Sequence, residues 1–485
     1  MSRLAGTLGS LIVGAVVAVG CGSSGDDSTF GNNNGESGNL VNGDQFGSSS
    51  GPGTPGGPPA GCVGLQCKQL SCPGGGTTSL SGKVYDPSGT VPLYNAVVFV
   101  PNADLQPFSE GVTCDRCGTT PSGNPIATAI TDATGSFTLK NVPVGVDVPL
   151  VVQIGRWRRK VTIPGANVAQ CADAKLTADQ TRLPRNKGEG DIPHIAITTG
   201  GADSLECFLR KLGLDDSEFT DPGGAGRIHL FYGVGGSKLD NATPMSQTLW
   251  DDLPTMKKYD MVILSCEGNE YNDGVNGVSV KNATARQHIQ DYLDAGGRVF
   301  SSHFHYTWFK NGTAPLQTTA NWGGASLSGN RDLTVDTSFP KGKDFSTWLD
   351  TVQATTAPQS SKLAATALRA DLTTNPKTGA PPETSRRWLY AAQNTSEETK
   401  FFSFNTPIGK PADQQCGRGV FTDIHVSSSG PTADTSGGTF PNNCKTPKPA
   451  LSPQEKALLF LMMDLASCVQ DDTQPPSAPP PAVVN

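Results

Sequence analysis

Tyr259-Asp260-Met261-Val262-Ile263-Leu264-Ser265-Cys266-Glu267-Gly268, together with the segment from Asn282 to Ser302, decides how most of this chain folds. Met261 to Leu264 is a continuous apolar run of the kind found in a strand covered on both faces. Asn282 caps a helix that runs through Ala295 and stops at Gly296-Gly297, and Arg298 to Ser302 follows as the next strand. Strand, helix and strand at that spacing make a parallel pair. Working outward, Ile195 to Thr198 and Ile228 to Tyr232 read as further buried strands, and Leu205, Phe208, Leu209 and Leu212 share one face of a helix. Trp388 to Ala391, Phe401 to Phe404 and Val420 to Val426 supply more strands. Ser452-Pro453-Gln454-Glu455 is a capping box with Pro at the first helical position, opening a last helix that reaches Cys468. The expected fold class of residues 190–468 is α/β, a parallel sheet with helices on both faces.

In such a sheet, ligands sit beyond the carboxyl ends of the strands. Three features should meet there: Ser265-Cys266-Glu267-Gly268, His303-Phe304-His305, and His425 after Asp423. Cys266, His303 and Glu267 are the candidate catalytic residues; a thiol nucleophile needs a neighbour such as His303 to help remove its proton. On a strand, His303 and His305 would point the same way, and with His425 and Glu267 they would suit a divalent metal, the one cofactor considered. The alternatives are an inert or disulfide-bonded Cys266 and hydrogen-bonded structural histidines beside Tyr306, Trp308 and Phe309.

The blocks Tyr259–Leu264 and Tyr292–Phe300 resemble the class I glutamine amidotransferase-like fold, particularly its trehalose-utilisation branch. The resemblance implies a flavodoxin-like α/β domain with Cys266 at the nucleophile position. Leu264 stands where the family's GxCxG elbow has its first Gly, and no His-x-Glu follows, so the likeness supports fold more than activity.

Between Thr77 and Ile163, short β-type runs alternate with turn signals at the spacing of an all-β sandwich. They are Leu80 to Tyr85, Ala96 to Val100, Ile126 to Thr131, Phe137 to Leu139, Val148 to Ile154 and Trp157 to Ile163. Asp132-Ala133-Thr134-Gly135 reads as a hairpin turn. Gly82-x-Val84-x-Asp86-x-x-Gly89, Ala96-x-Val98 and Thr131-Asp132-x-x-Gly135-x-Phe137 resemble the carboxypeptidase regulatory-like family, a transthyretin-like sandwich, interrupted by an insertion from Asn102 to Pro125. That resemblance implies a non-catalytic spacer or adhesion module over residues 61–175. Arg156-Trp157-Arg158-Arg159-Lys160 would suit an anionic glycan or lipid headgroup, or would simply protect an edge strand.

Arg3, the 12-residue run Leu8–Val19 and then Gly20-Cys21 have the plan of a secretory signal over residues 1–20, too short for a membrane span. Ala18-Val19-Gly20-Cys21 resembles the lipobox of bacterial lipoproteins, which implies lipidation of Cys21 and a lipid membrane as partner. Residues 21–60, rich in Gly, Ser and Asn, read as a disordered tether, and residues 469–485 as a disordered tail. Lys plus Arg number 37 against 44 Asp plus Glu, a formal net charge of -7 without long runs, which argues against nucleic acid as a partner. Twelve cysteines in an exported chain point to disulfides. Cys62, Cys67, Cys72, Cys114, Cys117 and Cys171 can pair among themselves. Cys207, Cys266, Cys416, Cys444 and Cys468 are odd in number and leave one thiol over. Cys114-x-x-Cys117 lacks a second such pair or a nearby His, so a disulfide outweighs zinc there. The whole reads as an exported, lipid-anchored protein of the outer membrane or cell surface. Its expected role is non-catalytic binding of a carbohydrate or other envelope component, with a surface hydrolase built on Cys266 or a His-bound metal as the alternative.

Overall fold

The computed structural model describes Pro59 and residues 61–376, 384–426 and 434–482. The signal, Cys21 and nearly all of the tether lie outside these residues. The described chain is a mixed α/β structure of several sheets and few helices, and its β-rich first part and its α/β second part belong to one compact unit.

The first part contains β1 (Ser79–Lys83), β2 (Val97–Pro101), β3 (Pro125–Ile130), β4 (Ser136–Lys140), β5 (Val148–Ile154), β6 (Trp157–Ile163) and β7 (Asp173–Lys175). They form two sheets, in the orders β4-β1-β7 and β3-β2-β5-β6. Leu80, Val98, Val100, Leu139, Leu150 and Ile163 fill one apolar cluster between them. The turn Asp132–Gly135 forms, with the Asp132 carboxylate accepting from Thr134 N at 2.7 Å and Ser136 N at 3.1 Å. It does not close a hairpin: β3 pairs with β2 and β4 with β1, so the turn carries the chain from one sheet to the other. Gly135 has φ +75°, and a Cβ there would lie 2.6 Å from Pro92 Cβ.

The second part contributes β8 (Ile195–Thr199), β9 (Phe219–Thr220), β10 (Ile228–Tyr232), β11 (Met261–Leu264), the hairpin β12 (Asp273–Val275) and β13 (Val278–Val280), β14 (Arg298–Ser302), β15 (Gly329–Val335), β16 (Lys362–Leu368), β17 (Arg386–Gln393), β18 (Ser396–Thr406) and β19 (Gly417–Thr422). Ten of these strands form one sheet in the order β16-β15-β17-β18-β19-β14-β11-β8-β10-β9. From β19 to β9 every pairing is parallel; from β19 outward to β16 every pairing is antiparallel. The wholly parallel expectation therefore holds for only half of the sheet. β17 and β18 are joined by a two-residue turn with Asn394 at φ +54°, and a connection that short forces antiparallel strands.

The helix Ala283–Asp294 carries its predicted cap, with Asn282 accepting from Ala285 N. The last helix, Pro453–Ala466, has its predicted capping box and is buried on nearly every side. Phe460 packs against Tyr94 of the first part and against Phe345, Trp348 and Trp388 of the second.

The cysteines of the first part do not pair only among themselves. Cys62–Cys67 and Cys72–Cys171 are local, but Cys114 bonds Cys416 and Cys117 bonds Cys468, while Cys207 bonds Cys444. The insertion thus clamps the two parts together. Nor is the C-terminal segment a free tail through residue 482. Val469 O accepts from Cys117 N at 3.0 Å, Pro479 O from the Thr128 hydroxyl at 2.7 Å, and Pro125 O from Ala482 N at 2.8 Å. Its acidic residues are used internally: Arg418 pairs with Asp464 at 2.7 Å and Asp472 at 3.0 Å, and Lys341 with Asp464 at 2.7 Å. Buried cations of this kind require such partners.

Peptide mapping of unreduced protein is expected to recover Cys114–Cys416 and Cys117–Cys468 cross-linked peptides; a Cys114–Cys117 loop would contradict the clamp. Replacing Cys117 and Cys468 together by Ser should cost about 2–5 kcal/mol and lower the melting temperature measurably.

Candidate functional site

The parallel strands β11, β14 and β19 end side by side, and the residues that follow them converge. Cys266 comes two residues after β11 and is fully buried. His303 follows β14 directly at φ +35°, a left-handed backbone that a residue with a Cβ seldom adopts and that turns its ring back over the strand ends. Cys266 Sγ lies 3.2 Å from His303 Nδ1. The other ring nitrogen, Nε2, lies 2.8 Å from Asp371 Oδ2 and 3.2 Å from Arg369 Nε. One imidazole nitrogen cannot both donate and accept, and the shorter contact is to a carboxylate that can only accept when ionised. The contact to Asp371 calls for the proton on Nε2, which leaves Nδ1 to receive one from the thiol, whereas the Arg369 Nε–H, which can only donate to Nε2, calls for the opposite tautomer.

Titration behaviour agrees with a neutral thiol–imidazole pair at rest. Burial pushes the Cys266 thiol well up and nearby Asp203 adds to this, while the backbone N–H groups of Phe304 and Gly268 face the sulfur and pull the other way. Burial lowers His303, opposed by Asp371. Burial alone would raise Asp371, but contact with His303 outweighs it and holds the carboxyl below its usual range. Asp423, buried beside Asp371, is pushed well above the carboxylate range. Its Oδ2 accepts from Asp371 N at 3.3 Å, and its backbone O accepts from Arg369 N at 3.1 Å. Burial is the largest single cause acting on each of these groups, and they meet in one crevice.

His425 joins this group. Its ring stands edge-on to His303 at 4.8 Å between centroids, and burial, His303 and Arg369 push it down to about 3. One donor atom each from Cys266, His303 and His425 lie within 4.8 Å of one another, as do those from His303, Asp371 and Asp423. Among the described residues, His425 Nε2 is buried with no hydrogen-bond partner.

Two of the predicted residues go elsewhere. His303–Tyr306 is a 3₁₀ turn rather than an extension of β14, so residues two apart diverge. His305 Nε2 donates to Ser265 O at 2.9 Å, and its Nδ1 accepts from Trp308 Nε1 at 2.9 Å, which occupies both nitrogens. Glu267 turns away to a buried ion pair with Lys281 at 2.7 Å and also accepts from Val234 N and the Ser279 hydroxyl. The metal set His303, His305, His425 and Glu267 is therefore not assembled, and Glu267 is not beside the thiol. Two of the four cations in the basic run are held in ion pairs, Arg156 with Asp260 at 2.6 Å and Arg158 with Asp191 at 2.8 Å, while Arg159 donates to Asp179 O at 2.6 Å and Lys160 is exposed.

Asp371 is the residue that sequence reasoning missed. It follows β16, at the far edge of the sheet, and its loop runs back over the strand ends to Asp423. No motif marks it, and only recognition of β15 and β16 as strands would have placed it.

Phe304 and Arg369 stand beside His303. The Phe304 ring sits 4.0 Å from that of His303, and the Arg369 guanidinium lies 5.9 Å from the Phe304 ring centre.

No known protein-family profile and no curated protein matches the chain. Among solved structures, part of the chain is similar to a ThuA-like protein from Bacteroides uniformis, with 10% identity and a TM-score of 0.29 over 55% of this chain and 89% of that one. A type II cohesin–X–dockerin complex from Acetivibrio cellulolyticus is similar at 16% identity and a TM-score of 0.15 over 30% of this chain and 79% of that one. Both scores are low, and the chemistry of the site has to be read from the chain's own geometry.

Proposed function

We propose that this chain is an exported, lipid-anchored envelope protein whose α/β part, of amidotransferase-like fold, is a thiol hydrolase, carried outward on a transthyretin-like β-sandwich. The observation that supports it is the line Cys266 Sγ, His303 Nδ1, His303 Nε2, Asp371 Oδ2, with steps of 3.2 and 2.8 Å at its two contacts. A nucleophile, a base and a group that orients the base within hydrogen-bond reach form the arrangement that acyl transfer requires. In this reading Cys266 attacks an acyl carbon as its proton passes to His303 Nδ1. His303 then returns the proton to the leaving amine or alcohol, and water releases the acyl group by the same route. The non-catalytic reading leaned on the missing His-x-Glu, and Asp371 offers the acidic partner from another part of the chain.

Substrate reaches Cys266 only when Phe304 leaves the face of His303. Native protein should therefore alkylate slowly with iodoacetamide, with a rate still climbing at pH values where ordinary thiols have levelled off, and Phe304→Ala should alkylate at least tenfold faster. An unchanged rate in Phe304→Ala would remove the ring as the cover.

The catalytic reading predicts hydrolysis of at least one member of an amide, ester and thioester panel, abolished in Cys266→Ala. His303→Ala and Asp371→Asn should each retain less than about one hundredth of the rate with the fold intact by circular dichroism. Activity that survives Cys266→Ala, or no hydrolysis of any panel member, would end it.

The unpartnered His425 Nε2 favours a second reading, a divalent metal held by Cys266, His303 and His425. Such a ligand set suits zinc, with Asp371 orienting His303 from behind. Elemental analysis separates the two. One zinc per chain that is lost in Cys266→Ser would establish the metal, and none in protein purified without chelators would exclude it.

A further inference from the structure

On the opposite side of the sheet from Cys266, at the amino ends of β8, β10 and β11, lies a cleft of about 580 Å³. Its other wall is the insertion in the first part, Pro107–Gly111. The chain as a whole is acidic, yet Lys187, Arg227, Lys257 and Lys258 all line this cleft. None of the four has a carboxylate within ion-pair distance among the described residues, whereas the acids of the same cleft are mostly engaged. Asp260 is held by Arg156 at 2.6 Å and Asp191 by Arg158 at 2.8 Å, which leaves Glu110 as the single free carboxylate.

Lys187 Nζ donates to Ala225 O at 2.5 Å and Arg227 Nε to Ile192 O at 2.9 Å, and the backbone that carries Lys257 and Lys258 is fixed by its neighbours. Val112 N donates to Lys257 O at 3.0 Å, and His194 Nδ1 lies 3.1 Å from Lys258 O. Gly111, at φ +74°, brings its backbone so near that a Cβ would lie 2.6 Å from Lys257 O. Arg156 Nη1 donates to Ser109 O at 2.7 Å, tying the insertion to the same floor. Lys187 and Lys258 are exposed and Arg227 and Lys257 half-buried, and like charges gathered in a concave surface without carboxylate partners focus a positive potential that attracts an anion. The volume lies within the range of small-ligand sites, about 300–1,000 Å³.

We propose that this cleft, formed by the insertion Pro107–Gly111 and the cations Lys187, Arg227, Lys257 and Lys258, binds a phosphate-bearing ligand. The site is independent of the Cys266 crevice and stands whether or not that crevice is catalytic. The phosphate belongs either to a free sugar phosphate or to a lipid headgroup, and the same cations serve both.

Calorimetry with inorganic phosphate and glucose 6-phosphate, and co-sedimentation of the soluble chain lacking residues 1–21 with phosphatidylglycerol or phosphatidylcholine vesicles, separate the sources. Binding of the soluble phosphates that weakens several-fold from 20 to 200 mM salt and at least tenfold in Lys257→Ala/Lys258→Ala supports a free ligand. Sedimentation with phosphatidylglycerol alone, lost in the same double variant, supports a headgroup. Arg227→Gln supplies a second variant should the first melt early. Absence of binding in both assays, or binding that the variants leave unchanged, overturns the proposal.

Discussion

The burial of the last helix, Pro453–Ala466, is the constraint on which the rest of this structure depends. Ala457 through Met463 are all buried, and a helix apolar around its whole circumference is stable only when protein covers every side. The β-rich part and the ten-stranded sheet are therefore pressed against the same helix, with Phe460 reaching aromatic rings from both. The end of the helix and the residue that follows it reinforce this placement. Asp464 neutralises the buried Arg418 on β19, and Cys468 bonds Cys117 of the insertion. At its start, the Gln454 amide donates to His425 O and its carbonyl oxygen accepts from Thr366 N. The helix thus grips both the loop that carries His425 and the strand that leads to Asp371, and the crevice inherits its geometry from the core.

Much of the parallel half of the sheet was legible in the chain. Met261–Leu264, Ile228–Tyr232 and Arg298–Ser302 are strands over the expected residues: the first is an unbroken apolar run, the second is apolar but for His229, and the third follows the Gly296-Gly297 stop of the preceding helix. The helix at Asn282 and the capping box at Ser452 were legible for a different reason: their backbone N–H groups need the side chains that announce them. The antiparallel half was only partly visible. β15 reads Gly-Asn-Arg-Asp-Leu-Thr-Val and β16 Lys-Leu-Ala-Ala-Thr-Ala-Leu, and a half-exposed strand of small and polar residues carries little periodic signal. Their absence from the reading concealed Asp371. The cross-part disulfides were illegible because sequence distance says nothing about which thiols meet. The parity argument assumed pairing within each half, and it survives because the two cross-part disulfides take two cysteines from each; Cys266 is the free cysteine among the described residues.

The misplaced site residues have two causes. Placing His303 and His305 together assumed that β14 continued, whereas the positive φ at His303 ends the strand and begins a 3₁₀ turn. The same turn that aims His303 at the thiol sends His305 to Ser265. Glu267 was drawn away by charge: Lys281, held between Trp250 and Trp308, has no other carboxylate within ion-pair distance among the described residues and would be a costly isolated cation without it. Local backbone geometry and buried-charge pairing therefore decided which members of a plausible cluster became neighbours, and neither is written in residue spacing.

The account turns on which nitrogen of His303 carries the proton. Nitrogen-15 spectra of histidine-labelled protein at neutral pH, with the His303 signals assigned by comparison with His303→Gln, report this directly. Protonated Nε2 and unprotonated Nδ1, with the Nε2 shift moving on Asp371→Asn, is the result the account predicts. A proton on Nδ1, facing the sulfur, would leave the ring unable to take the thiol's proton and would contradict the relay.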